Sequence, residues 1–230
     1  MQPITRGKAI AWMVATIFVP LCITSCLTSV YIAHWYWKTG YQGALPNDVL
    51  MRAMMIMTAP GLWLTVAIWW LIHRRQTSFA ELFATRTRSL LCDLLVGLGL
   101  GILWIAVYGL SNAVSFGDMF VLNLAKVKSI PTSLSAGFCE EFLFRGFVFL
   151  LLARAGGGNK SQLVWSSIAF GMAHCFWGPW GMVWTAVLGF TFGAARLWRG
   201  SVWPAVVAHS VLDLCIEPAL LEKAFSGGFG

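Results

Sequence analysis

The sequence predicts an all-α protein, a polytopic membrane helix bundle of about seven transmembrane helices. Of its 230 residues, 58% are hydrophobic and only 11% are charged, whereas about a quarter of the residues in a soluble domain are charged. The mean hydropathy is +0.74, and the apolar residues fall into runs close to the roughly 20 residues that cross a bilayer core. We therefore expect one membrane domain over residues 1–230.

Seven apolar runs define the predicted helices, near residues 9–33, 51–72, 90–110, 132–153, 162–176, 181–197 and 202–220. The first run has a basic start, but its apolar core of about 25 residues is too long for a secretory signal, so we expect it to be retained. The fifth and sixth runs are short and can form a re-entrant pair around residues 176–181. We divide the domain into N-terminal helices, 1–125, and a candidate catalytic core, 130–215.

The distribution of basic residues predicts the orientation of the chain. Ten Lys and Arg residues fall in the N-terminal segment and the even-numbered loops, five fall on the opposite side, and Arg145 lies within a predicted helix. Cytoplasmic loops carry the excess of Lys and Arg, so we expect the N-terminus in the cytoplasm and the C-terminus outside, in the simplest case across a bacterial cytoplasmic membrane. The formal charge of +7 comes in short loop clusters, not a continuous stripe, which argues against a nucleic-acid partner.

Six titratable residues stand out inside the predicted helices: Glu140, Glu141, Arg145, His174, His209 and Asp213. Such residues are costly in a bilayer and are functional candidates by default. Glu141 and Arg145 are i,i+4 neighbours that can neutralise each other, and His209 and Asp213 have the same spacing. Glu140 lies about 100° round the helix from Glu141 and has no basic partner on its own helix. The spacing predicts one structural ion pair, with Glu140 and the two histidines forming a cluster that Asp213 can join.

Three short motifs occur in order along these helices. They are "EEFLFRG", which begins at Glu140, "FGMAH", from Phe170 to His174, and "HSVLD", from His209 to Asp213. In this order and spacing the chain resembles the Abi family, also called CPBP, which contains the type II CAAX prenyl proteases and bacteriocin-processing relatives. The resemblance covers roughly residues 130–215.

The resemblance implies an intramembrane endopeptidase of the glutamic type. In family terms Glu140 is the general base that activates water and His174 helps to position it. His209 and the residue at position 213 polarise the scissile carbonyl and stabilise the oxyanion, while Glu141 and Arg145 support the geometry. Phe170 packs against the site.

Position 213 departs from many relatives, which carry Asn where this chain has Asp213. An aspartate donates a hydrogen bond to an oxyanion only when it is protonated. We therefore favour an orienting role for Asp213, in which it holds His209.

The same residues allow other interpretations of the site. Glu140, His174 and His209 are acceptable zinc ligands, and a zinc-bound water is a potent nucleophile; we favour a site without a cofactor. Cys139 and Cys175 adjoin Glu140 and His174, but neighbouring helix positions point about 100° apart, which disfavours a thiol nucleophile. A transporter with a proton relay and a non-enzymatic scaffold remain the alternatives from other classes.

The predicted orientation also places the site along the membrane normal. Glu140 lies about eight residues, or roughly 12 Å, from the outer end of its predicted helix. We therefore expect the site between the midplane and the outer leaflet. The expected substrate is a membrane-anchored or lipidated protein, such as one with a C-terminal anchor or a leader peptide, cut on the extracytoplasmic side.

Overall fold

The computed structural model describes residues 5–40, 46, 49, 78–83, 89–112, 119–122 and 124–225, and within these ranges all regular structure is helical. The helices are α1 (Arg6–Thr39), α2 (Phe79–Phe83), α3 (Leu90–Asn112), α4 (Leu124–Glu141), α5 (Phe149–Arg154), α6 (Asn159–Ala173), α7 (Gly178–Arg199) and α8 (Trp203–Phe225). A π-helical segment, Phe142–Val148, joins α4 to α5. The predicted all-α class is therefore confirmed for the described residues.

Six of the seven predicted helices have counterparts among these elements. The remaining predicted helix, 51–72, lies outside the described residues. Among the described helices, the stretch Leu90–Ser111 of α3 is long and apolar enough to cross a membrane, and Trp203–Ile216 of α8 is apolar but shorter. Leu91, Leu95 and Leu103 of α3 are more than half exposed, as expected for side chains that face lipid. The arrangement of seven spans stays a prediction.

Helix α8 is the centre of the described bundle and packs against α3, α4 and α7. The contact with α3 is made by glycines: a Cβ on Gly97 would lie 2.6 Å from the carbonyl oxygen of Pro204, and one on Gly101 would lie 3.1 Å from that of Ala208. Because the contact advances in the same direction along both helices, α3 and α8 run parallel. Both helices were predicted to run outward, and this relation agrees with that prediction.

Helix α2 lies in a stretch that the sequence analysis assigned to a loop. Its start is a capping box, in which the Ser78 amide donates to Glu81 Oε2 and the Glu81 amide donates to Ser78 Oγ, both at 3.1 Å; such reciprocal bonds satisfy two free donors at a helix start. Leu82 and Phe83 are fully buried, and the carbonyl of Phe83 accepts a bond from the Val202 amide at 3.2 Å. This short helix therefore fixes the start of α8.

The helix predicted at 132–153 is longer than expected and has a different form. It begins at Leu124, passes through the exposed Pro131, and changes to the π form after Glu141. All seven residues of the π segment are buried. Extra residues per turn of this kind are rare and are often found at functional sites.

A buried ion pair joins α3 to α7. The carboxylate of Asp93 is fully buried and its Oδ1 accepts a bond from Arg199 Nε at 2.7 Å. Asp93 lies in the first turn of α3 and Arg199 in the last turn of α7, where the helix dipoles favour these charges. The sequence analysis counted Arg199 as a loop residue and left Asp93 out of the charged set.

Candidate active site

The six titratable residues predicted from the sequence all lie in the described part of the chain, on elements that meet near α8. Glu140 and Glu141 end α4, Arg145 lies in the π segment, His174 follows α6, and His209 and Asp213 lie on α8. They divide into a group around Glu141, in which only Asp213 is partly exposed, and a partly exposed pair, Glu140 and His174.

Helix α4 can approach α8 closely because Gly137 faces Ser210. A Cβ on Gly137 would lie 2.8 Å from the backbone nitrogen of Ser210, so a larger residue would separate the two helices. Gly137 precedes Glu141 by one turn and Ser210 follows His209 directly. The close contact therefore brings the second glutamate within reach of the second histidine.

Glu141 joins the ion pair to a histidine. Its Oε1 accepts a bond from Arg145 Nη1 at 2.9 Å and lies 2.8 Å from His209 Nδ1. The side chains of Glu141 and Arg145 are fully buried, and that of His209 is 7% exposed. Glu141 and Arg145 form the predicted ion pair, in which each buried charge has the partner it needs. His209 also contacts this pair, whereas the sequence analysis had grouped it with Glu140 and His174.

Arg145 is held on three sides. Its Nη2 donates to the carbonyl of Gly189 on α7 at 3.0 Å, in addition to the bond with Glu141. Its Cζ lies 4.4 Å from the centre of the Phe170 ring, a distance that gives a favourable cation–π contact. The guanidinium group therefore ties the π segment to α6 and α7.

His209 lies between two carboxylates. Its Nδ1 faces Glu141, and its Nε2 lies 3.3 Å from Oδ2 of Asp213, one turn further along α8. The Phe170 ring lies nearly perpendicular to the imidazole, at 88°, with a centroid distance of 5.7 Å. Asp213 is thus placed where it can orient His209.

His174 and Glu140 form the exposed half of the site. Nδ1 of His174 lies 2.8 Å from the carbonyl oxygen of Phe170; since a carbonyl only accepts, Nδ1 carries the proton. In the neutral ring Nε2 is then an acceptor, and it lies 3.7 Å from Oε2 of Glu140. The Glu140 and His174 side chains are 34% and 21% exposed, and Glu140 Oε2 has no hydrogen-bond partner within the described part of the chain.

A zinc site made of Glu140, His174 and His209 does not fit this arrangement. Zinc needs an unprotonated imidazole nitrogen, and both nitrogens of His209 face carboxylate oxygens of Glu141 and Asp213. Across the described ranges, no group of three or more His, Cys, Asp or Glu side chains is placed to hold a metal ion. The expected absence of a cofactor stays a prediction.

The two cysteines beside the site lie in different surroundings. Cys139 is buried, and its Sγ lies 3.9 Å from Ser135 Oγ, one turn earlier on α4. Cys175 is exposed in the turn between α6 and α7. That neither thiol is the nucleophile stays a prediction of the sequence analysis.

Two residues of this site were not identified from the sequence. Gly189 and Gly137 have no motif or periodicity that separates them from the other glycines of the chain, which number 23 in total. Their importance depends on which helices become neighbours, and a single sequence does not contain that information.

Comparison with known proteins gives one positive result. No curated protein and no solved structure matches the chain. A family model does match, over residues 123–215, and this segment contains Glu140, His174, His209 and Asp213. The model describes type II CAAX prenyl endopeptidases of the Rce1-like kind, so the family resemblance that the three motifs indicated is confirmed.

Proposed function

We propose that this protein is an endopeptidase that hydrolyses a peptide bond of a membrane-anchored or lipidated protein, with Glu140 as the base that activates water. The matching family is one of endopeptidases, which supports the reaction class. The substrate class, the roles of the site residues and the mechanism are what we propose beyond this family match.

The observation that carries the proposal is the pair of facing acceptors, Glu140 Oε2 and His174 Nε2, 3.7 Å apart. This separation is too long for a direct hydrogen bond, and in the neutral His174 ring, with its proton on Nδ1, both facing atoms are acceptors. One water molecule can donate one hydrogen to each of them, which leaves its lone pair directed at a substrate carbonyl. A general base must stand within hydrogen-bond reach of such a water.

The reaction then proceeds in two steps. As the water oxygen bonds to the carbonyl carbon, its proton moves to Glu140, and the carbonyl oxygen becomes an oxyanion. When the intermediate collapses, the C–N bond breaks and Glu140 returns the proton to the leaving amine. The products are a carboxylic acid and an amine, which exchange a proton to become a carboxylate and an ammonium ion, and Glu140 is restored as a carboxylate.

The oxyanion needs a preorganised donor, and His209 is the candidate. A ring whose two nitrogens face carboxylate oxygens is fully satisfied when both nitrogens carry protons. The Nδ1–H bond to Glu141 then holds the ring in place, while the Nε2–H group, 3.3 Å from Asp213 Oδ2, can be shared with the oxyanion. Arg145 balances the charge of Glu141 and Asp213 balances that of the protonated ring, so that the four side chains together are neutral.

The substrate follows from the family and from the predicted location of the site. Prenylated CAAX tails are what the family name describes, whereas the predicted orientation favours an anchor or leader cut on the extracytoplasmic side. A lipid bilayer is the expected surrounding, and neither a nucleic acid nor a metal cofactor is required.

The test compares purified wild type, Glu140→Gln and the control Glu81→Gln in lipid nanodiscs. Each is given two fluorogenic peptides, one ending in a farnesylated CAAX tail and one ending in an unprenylated transmembrane anchor, with and without a strong chelator. We expect cleavage by the wild type and the control, and a loss of about 10²–10⁴-fold in kcat for Glu140→Gln. The peptide that is cleaved identifies the substrate class.

Two outcomes would contradict the proposal. Cleavage that survives Glu140→Gln would remove Glu140 as the base. Loss of activity with the chelator, followed by recovery with Zn²⁺, would make the histidines ligands and the enzyme a metalloprotease.

A further inference from the structure

Gly189 on α7 is buried at the point where three elements of the site meet. Its carbonyl accepts the bond from Arg145 Nη2 at 3.0 Å, and the absence of a side chain leaves room for the guanidinium group. A Cβ at this position would lie 3.1 Å from Arg145 Nη2, 3.2 Å from Phe170 Cδ1 and 3.3 Å from Ser167 Cα.

These three neighbouring residues cannot all move to make room for an added Cβ. Ser167 presents backbone, Phe170 is 2% exposed and Arg145 is fully buried. Since interiors are packed at the density of crystals, an added methyl group would displace the Arg145 head or the Phe170 ring by a few tenths of an ångström.

Arg145 leads to His209 through Glu141, and Phe170 contacts both histidines. Arg145 donates to Glu141, whose Oε1 lies 2.8 Å from His209 Nδ1. The Phe170 carbonyl lies 2.8 Å from His174 Nδ1, and its ring lies 4.6 Å from the His174 ring. A displacement at Gly189 therefore reaches the histidine that positions the water and the one that faces the oxyanion.

We propose that Gly189 is a positioning residue that sets the placement of both His174 and His209, an inference that rests on the function proposed above for these histidines. It touches neither the substrate nor the reacting atoms. It acts through Arg145 on one side and Phe170 on the other.

The chain offers a matched control one turn later on α7. Gly193 is also buried, and a Cβ there would lie 2.7 Å from Leu163 Cδ1 and 3.4 Å from Phe149 Cζ. Neither neighbour belongs to the site. Gly193→Ala therefore adds the same methyl group to the same helix, with a nearest contact of 2.7 Å that is shorter than the 3.1 Å at Gly189, but away from the histidines.

The experiment measures kcat, KM and histidine ¹⁵N NMR signals for wild type, Gly189→Ala and Gly193→Ala, on whichever peptide the wild type cleaves. The chain has four histidines, so the ring signals of His174 and His209 can be assigned by single substitutions. We expect Gly189→Ala to shift both signals and to lower kcat by about ten- to a hundred-fold, because small misplacements of catalytic groups are costly, with KM within about two-fold. Gly193→Ala should leave kcat and both signals unchanged.

Arg145→Lys provides a second route should Gly189→Ala not fold. Lysine keeps the charge beside Glu141 but has no second head-group nitrogen for the Gly189 carbonyl. It should shift the His209 signal, and where Gly189→Ala folds, the two substitutions should combine to less than the product of their separate effects on kcat.

The inference is overturned if Gly189→Ala leaves both histidine signals in place and matches Gly193→Ala in kcat, or if Arg145→Lys leaves the His209 signal unmoved. A failure of the proposed function has a different signature, namely wild-type protein that cleaves neither peptide or Glu140→Gln protein that cleaves normally. The histidine signals then decide the positioning role by themselves, because they do not depend on turnover.

Discussion

Arg145 is a buried cation whose partners come from three elements, and its removal would leave Glu141 charged and uncompensated. Breaking a buried pair by removing one partner costs about 3–5 kcal/mol. We therefore expect Arg145→Met to lower the free energy of unfolding by about that amount. The comparison is Arg154→Met, since the Arg154–Glu81 pair is 22% and 33% exposed and such pairs contribute about 0–1 kcal/mol. Reversible unfolding in detergent micelles measures both, and equal losses would contradict the argument.

Asp213 lies 3.3 Å from His209 Nε2. Its substitution by asparagine, the residue found in many relatives, separates a role in orienting His209 from a requirement for the carboxylate. The side-chain oxygen of an asparagine can accept the same bond, and its amide can also donate to an oxyanion. We expect Asp213→Asn to keep kcat within about ten-fold of wild type and Asp213→Ala to lose about 10²–10³-fold, because His209 then loses the group that holds it towards the oxyanion and a displaced donor costs about this much. Initial rates on the cleaved peptide decide this. Equal losses in the two variants would show that the carboxylate itself is required.

Contacts between residues one turn apart in the chain were the part of the site that the sequence could predict. The i,i+4 relation of Glu141 and Arg145, and that of His209 and Asp213, appear in the structure as contacts of 2.9 and 3.3 Å. The bond from Glu141 to His209 was not predicted, because it joins residues 68 positions apart. The distance between such residues depends on how closely α4 approaches α8, which the glycine at 137 determines.

At the scale of the elements, the glycines of α3 have different surroundings although they alternate in sequence. Gly97 and Gly101 face the backbone of α8, whereas nothing lies within 4 Å of a Cβ placed on Gly99. We expect Gly97→Ala to lower the unfolding midpoint, because overpacking costs about 1–3 kcal/mol. Gly99→Ala should be neutral or stabilising, since Ala is favoured over Gly in helices by about 1 kcal/mol. Thermal unfolding of the two variants in detergent tests this, and equal midpoints would mean that α3 is not held by its glycines.

Hydrophobic run length predicted the long helices, but it could not find α2 or the true start of α4. Helix α2 has five residues, which is too short for periodicity to be informative, and its burial depends on a cavity formed by other helices. Helix α4 begins eight residues before the predicted start, in a polar stretch that includes Lys126, Lys128 and Pro131. Lys126 and Ser129 in this stretch are buried against the protein. Because tertiary contacts of this kind extend the helix into polar sequence, the start of the apolar run does not mark the start of α4.

At the scale of the whole molecule, the predicted orientation can be tested on α6 and α7, which are joined by the turn after His174. Basic residues Arg154, Lys160, Arg196 and Arg199 lie at the ends of α5, α6 and α7 that are remote from the turn after His174. Helix α6 has 15 residues, which separates its two ends by about 22 Å. Two positions on this helix can therefore report which side of the membrane each end faces.

The orientation prediction can be tested through Cys175, an exposed free thiol in the turn that follows His174. Excess Lys and Arg mark the cytoplasmic side, so this turn should face outward. In a variant that keeps Cys175 and replaces the other cysteines by serine, a membrane-impermeant maleimide should label intact cells. In a cysteine-free chain carrying Asn159→Cys, at the exposed start of α6, labelling should require permeabilised cells. The reverse pattern would place the turn in the cytoplasm, and with it the open side of Glu140 and His174, which would favour cytosolic CAAX tails over exported proteins as substrates.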